Sequence, residues 1–172
     1  MISANECVLT IYESRMLTWV GRKRFENAVR NHRNPGDGPS SSGPEHHIRG
    51  THCEYASSII FNLYWRPAIG ELERPDVGGL LEVRSTDLEH GRLIVKPNDD
   101  DDAPFVLIED MGNLHYRAVG WLYARQAKQF PLERKWLKRW SRWGDPAHYV
   151  SRQDLANLAA LHELIELERE DA

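Results

Sequence analysis

A chain of 172 residues with 41% apolar content and a net charge of −4 is large enough for one domain with a substantial core and too polar for a membrane protein. No apolar run approaches the ~18 residues of a membrane span. Two cysteines, Cys7 and Cys53, do not make a disulfide framework, and Asn5 and Glu6 stand where a signal peptide wants basic and apolar residues, so the expected location is the cytoplasm. The modest net charge hides an asymmetry: residues 115–152 hold nine Lys/Arg against two Asp/Glu, while acids gather at 99–102 and after Asp154.

In chain order, residues 8–31 read as an amphipathic helix opened by a Thr10–Glu13 capping box. Met16, Leu17, Trp19, Val20 and Ala28 form its expected inward stripe, and Arg22, Lys23 and Arg30 either solvate its outer face or touch nucleic acid. Residues 34–45 read as a flexible loop, because Pro, Gly and Ser sustain neither regular period. A second helix starts at Thr51 and buries Ala56, Ile59, Ile60 and Leu63. Its Glu54 fits a capping box with Thr51 or a ligand role. His46, His47, His52 and Cys53 lack zinc spacing.

Strands follow: Ile69–Glu73 weakly, then 80–85, 92–96, 105–108 and 116–121. The second and third are expected to pair as an antiparallel hairpin through His90-Gly91. Asp99–Asp102 reads as a solvated acid run rather than a metal trap. From Tyr123 a helical period returns, and Trp136, Trp140 and Trp143 share one helical face. Arg125, Lys128, Lys135, Lys138, Arg139 and Arg142 supply cations suited to phosphates. The tail is an amphipathic helix turning Leu155, Leu158, Leu161, Leu164 and Ile165 inward, a stripe that permits a homodimer.

The chemical signal lies between Gly50 and Arg84. Glu82 and Arg84 alternate with Leu81 and Val83 on a strand and share one of its faces. Asp76 precedes that strand, and Glu54 sits on the helix before it. Carboxylates gathered in this way suit a divalent cation with a taste for hard oxygen donors.

The order Glu54, Pro75-Asp76, Glu82-Val83-Arg84 resembles the PD-(D/E)XK nuclease superfamily, particularly its small phage-type members. GTHCEYA resembles the helix before the motif, DVGGLLEVRST with GRLIVKP the central hairpin, and YRAVGWLYARQAK the later strand and helix. The likeness covers roughly residues 46–128. It implies an α/β (α+β) domain with a mixed sheet of four to five strands flanked by helices, with further N- and C-terminal helices outside a restriction-endonuclease-like core. It also implies hydrolysis of DNA with Mg²⁺, for which Mn²⁺ can substitute. Asp76, Glu82 and the backbone carbonyl of Val83 would hold the ion, and Glu54 would support it. The family's usual lysine is Arg84 here. Arginine stays protonated and cannot act as a base, although it can orient water or stabilise charge. Lys96, on the expected hairpin partner, is a candidate for the missing ammonium. The departure keeps a second expectation open, that of a binding or phage-assembly module with little turnover. A third reading is a scaffold whose acids are ordinary surface residues.

Overall fold

A computed structural model describes residues 3–31, 43–70, 75–134, 136–137 and 142–170. It is a mixed α+β arrangement. Strand β1 (Glu6–Val8) leads into helix α1 (Ile11–Arg30), and α2 (Pro44–Ile60) follows. Next come β2 (Glu82–Thr86), β3 (Leu93–Val95), β4 (Pro104–Asp110) and β5 (His115–Tyr123). The chain continues through the short helix α3 (Ala124–Ala127), strands β6 (Leu132–Glu133), β7 (Trp136–Leu137), β8 (Arg142–Trp143) and β9 (Ala147–Val150), and helix α4 (Leu158–Glu170).

The main sheet has the order β1-β5-β4-β2, with β2 parallel to β4 and the other pairs antiparallel. Strand β4 is buried on both sides, and alternation assigns its residues to two cores. Val106 and Ile108 join Leu17, Ala56, Leu81, Val83, Leu161 and Ile165 beneath the helices. Phe105 and Leu107 face the opposite way and join Leu93, Val95, Ala127 and Val150. A small antiparallel sheet, β3-β9-β6, and α3 cover that second side. No described helix is long and apolar enough to cross a membrane.

Helix α1 begins where expected: Thr10 caps Glu13 N–H, and Glu13 returns the bond to Thr10 N–H at 2.7 Å. Its inward arc differs from the expectation. Leu17 and Val20 are buried, but Met16 and Trp19 face solvent, because the helix docks on α2 through Gly21. A Cβ on Gly21 would lie 2.6 Å from Ile48 Cα, so glycine there permits the close crossing.

Helix α2 starts at Pro44, which is pre-organised for a first helical position. Thr51 is therefore mid-helix; its hydroxyl donates to His47 O, the Thr51–Glu54 capping box does not exist, and Glu54 is freed from a cap role. Ile59, placed inward by periodicity, is exposed. Of the loop expected over 34–45, Pro44 and Glu45 belong to α2, and 34–42 lie outside the described residues. The expected weak strand at Ile69–Glu73 is not seen at residues 69–70, and 71–73 lie outside the described residues.

Two further corrections concern pairing. The β2–β3 hairpin does not form: β2 lies parallel to β4, and β3 pairs with β9. Residues 87–92 form an excursion held by Arg152, which donates to Leu88 O and Gly91 O, so β3 leaves the main sheet. The helix expected from Tyr123 spans only Ala124–Ala127, as α3; beyond it the described residues form short strands, and Trp136 stands opposite Trp143 in the β7–β8 pair rather than sharing a helical face with it. Trp140 lies outside the described residues. The tail helix is as expected, with Leu158, Leu161 and Ile165 buried.

Candidate active site

Strand β2 is the outer strand of the main sheet; it carries Glu82 and Arg84, and Asp76 is bonded to its backbone. Asp76 is brought there by a tight turn. Gly78 and Gly79 both adopt left-handed φ values, 66° and 68°, which only glycine takes readily. They allow Val77 N–H to donate to Leu81 O at 3.1 Å and Leu81 N–H to return to Val77 O at 2.9 Å. The chain thus folds back so that Asp76 Oδ2 accepts from Val83 N–H at 2.8 Å. Segment 62–66 braces the turn: Gly78 N–H donates to Tyr64 O at 2.8 Å, and Trp65 bridges to Val77.

Val83 points into the helical core, so Glu82 and Arg84 project to the other side of β2. Glu54 approaches from α2. It is buried, and both of its oxygens accept from Arg24 Nη1, at 2.6 and 2.8 Å. Trp65 Nε1 donates to it as well, at 3.2 Å. Arg84 is also committed. Its guanidinium donates to Asp99 at 3.0 Å and to Ile94 O at 3.1 Å, lies 3.6 Å from Glu82, and stacks 4.6 Å above the Phe105 ring.

The electrostatics single out Asp76. By exposed area it is half-buried, but its carboxyl is enclosed, and the enclosure governs its proton affinity. Burial, reinforced by the charges of Glu54 and Glu82, pushes it up to about 7, against the pull of Val83 N–H and Arg84. Burial also raises Glu82, where Asp99, Glu54 and Asp100 add to the effect and Arg84 opposes it. At Asp76 burial and the neighbouring carboxylates thus outweigh the pull of Arg84.

Hard oxygen donors short of positive charge fit Mg²⁺ or Mn²⁺ chemically. The fit is best for Asp76 and Glu82; the Val83 carbonyl already accepts a long bond from Arg84 at 3.4 Å, and the fit is poorest for Glu54, whose oxygens Arg24 occupies. Among the described residues, no three Asp, Glu, His or Cys side chains are gathered closely enough to hold a metal ion as they stand.

The remaining candidates are dispersed. Lys96 follows β3, which does not pair with β2, so the expected hairpin register is absent; the residue nevertheless stays near Arg84, since its backbone N–H donates at 2.8 Å to the Asp99 oxygen that Arg84 also holds. Arg125 pairs with Asp102 and Lys128 with Asp101. Asp100, Asp101 and Asp102 are exposed, as expected of a solvated acid run, although the last two carry surface ion pairs; Asp99 is the exception, partly buried on Arg84. Lys135, Lys138 and Arg139 lie outside the described residues, and only the backbone of Arg142 is described.

Sequence reasoning passed over Arg24, Trp65 and Asp99. Arg24 had a readable signal, since it follows Leu17 by seven residues and Val20 by four on the buried arc, where a cation needs a partner. Trp65 and Asp99 carry no such local mark. Comparison of the chain with family models, curated proteins and solved structures finds no match.

Proposed function

We propose that the chain is a divalent-cation-dependent nuclease acting on phosphodiester bonds of DNA, with Asp76 and Glu82 as its ion-holding carboxylates. The observation that carries this reading is the carboxyl of Asp76, built into the edge of β2 by a two-glycine turn and crowded by Glu82 and Glu54. A structural carboxylate in such a position would be expected to have a cation of its own. A divalent ion there would supply charge against a phosphate and a bound water that ionises near neutral pH. The chain's own groups prepare the rest. Val83 N–H holds the carboxyl of Asp76, Arg24 and Trp65 hold Glu54, and Arg84, now bonded to Asp99 and 3.6 Å from Glu82, would stabilise charge on a phosphate oxygen by exchanging one of those contacts.

A specific observation favours a second reading. Arg84 is already bound to Asp99, Ile94 O and Glu82, and Glu54 to Arg24. An arrangement so internally satisfied also suits a nucleic-acid-binding or phage-assembly module with little turnover. Incubation with supercoiled, linear and single-stranded DNA in Mg²⁺, Mn²⁺ or EDTA separates the two. The nuclease reading expects cutting that EDTA abolishes, whereas DNA binding with no cutting under either metal supports the module.

A further inference from the structure

The outer arc of α1 takes no part in the core, and its composition is unusual for a solvated face. Tyr12 is 77% exposed and Trp19 57% exposed, seven residues apart on one line along the helix. Arg15 and Arg22 form a second line, also seven apart and about 60° round the axis. Among the described residues neither arginine makes a hydrogen bond or ion pair, and both are exposed. Lys23, 2.7 Å from Glu26, and Arg30 lie near the aromatic line. The arc thus presents aromatic faces beside a parallel row of exposed cations, on a chain whose net charge is −4.

We infer that this arc binds single-stranded nucleic acid, with Tyr12 and Trp19 stacking on unpaired bases and Arg15 and Arg22 meeting the phosphates alongside. The geometry suits that polymer. The two aromatics stand ~10 Å apart along the axis, a span of about three nucleotides at ~3.4 Å each. Stacking on exposed rings with a flanking basic track is the general solution for binding a single strand without sequence preference. A second copy of this chain is a poor occupant, because antiparallel pairing of two α1 helices would oppose Arg15 and Arg22 with the same arginines. A lipid surface is a poor one too: Lys23, Glu26 and Arg30 share the aromatic arc and prevent it from sinking into an apolar layer.

This surface lies across α1 from Arg24 and Glu54, and it does not rest on the nuclease reading. The experiment is done in EDTA, where no metal site operates. Anisotropy of a fluorescein-labelled oligothymidine is titrated with the full chain at low salt. Tyr12→Ala with Trp19→Ala should weaken binding at least tenfold, while Trp19→Phe keeps most of it. Arg15→Gln with Arg22→Gln should lower the slope of log affinity against log salt by about 1.4, two phosphates at ~0.7 each for a single strand. Thermal melts of all variants should match the unaltered chain, since each side chain is solvent-facing. No binding by the unaltered chain, equal binding by the double alanine variant, or Trp19-dependent binding to anionic vesicles in place of the oligonucleotide would each overturn the inference.

Discussion

Replacing Asp76 by Asn should make the protein more stable at neutral pH while removing the group on which the proposed chemistry depends. The amide oxygen of Asn can still accept from Val83 N–H, so the turn at Gly78-Gly79 keeps its anchor. What disappears is a carboxylate whose ionisation is opposed by burial and by Glu54 and Glu82. In the native state Asp76 holds its proton up to about 7, against 3.8 for the ordinary group. The unfolded chain therefore releases this proton first, and ionisation destabilises the native state progressively as pH rises from about 4 to about 7, with no further change above. At 1.36 kcal/mol per unit, and allowing for the residual exposure of Asp76, the cost at pH 8 is on the order of 2–4 kcal/mol. For a chain of this size that corresponds to about 5–15 °C in melting temperature. Thermal melts of both proteins from pH 4 to pH 9 give the test: the curves should coincide near pH 4 and separate through pH 7, with Asp76→Asn higher. Added Mg²⁺ or Mn²⁺ should raise the unaltered chain towards the variant at pH 8. An Asp76→Asn protein less stable than its parent at pH 8 would refute the reasoning, since it would mean that the carboxylate already has a cation.

Arg24→Met should cost about 3–5 kcal/mol in denaturant melts, because it strands the buried Glu54 without its cation, and adding Glu54→Gln should recover much of the loss. Gly21→Ala should destabilise despite a gain in helix propensity of ~1 kcal/mol, because the new Cβ meets Ile48 Cα at 2.6 Å and backbone cannot swing aside; melting temperature reports it. Glu109 is held below its ordinary range: burial would raise it, but hydrogen bonds from Arg152 and Arg117 outweigh that. Its contribution is therefore present above the ordinary carboxylate pKa and is lost as pH falls through the lowered value. Glu109→Gln should cost about 2–3 kcal/mol at pH 7, and the gap to the parent should close below about pH 4 in a pH series of melts.

Elements whose signals are local were legible in the sequence. The capping box at Thr10 and Glu13, the leucine stripe of α4, the continuous apolar run of β4 and the alternation at the start of β5 are all signals carried within a single element. The β2–β3 pairing was misread because a Gly turn between two apolar runs says nothing of a more distant partner. Here the β4 strand, buried on both sides, takes β2, while Arg152 pulls residues 88–91 away. Trp136 and Trp143 fit a helical period, yet they stand opposite each other in an antiparallel pair, a pairing that local periodicity does not report. At the site, Asp76, Glu82 and Arg84 were legible because strand alternation and the PDVGG turn place them. The commitment of Glu54 to Arg24 was not, because it depends on how closely α1 and α2 cross at Gly21.

The most direct measurement is the rate of Mg²⁺-dependent cleavage of a labelled DNA by the unaltered chain, Asp76→Asn and Glu82→Gln, all shown to be folded by their melts. The account predicts cutting by the unaltered chain that EDTA stops and that falls at least a hundredfold in each variant. Cutting that survives both substitutions, or no metal-dependent cutting by a chain that binds the same DNA, would contradict it.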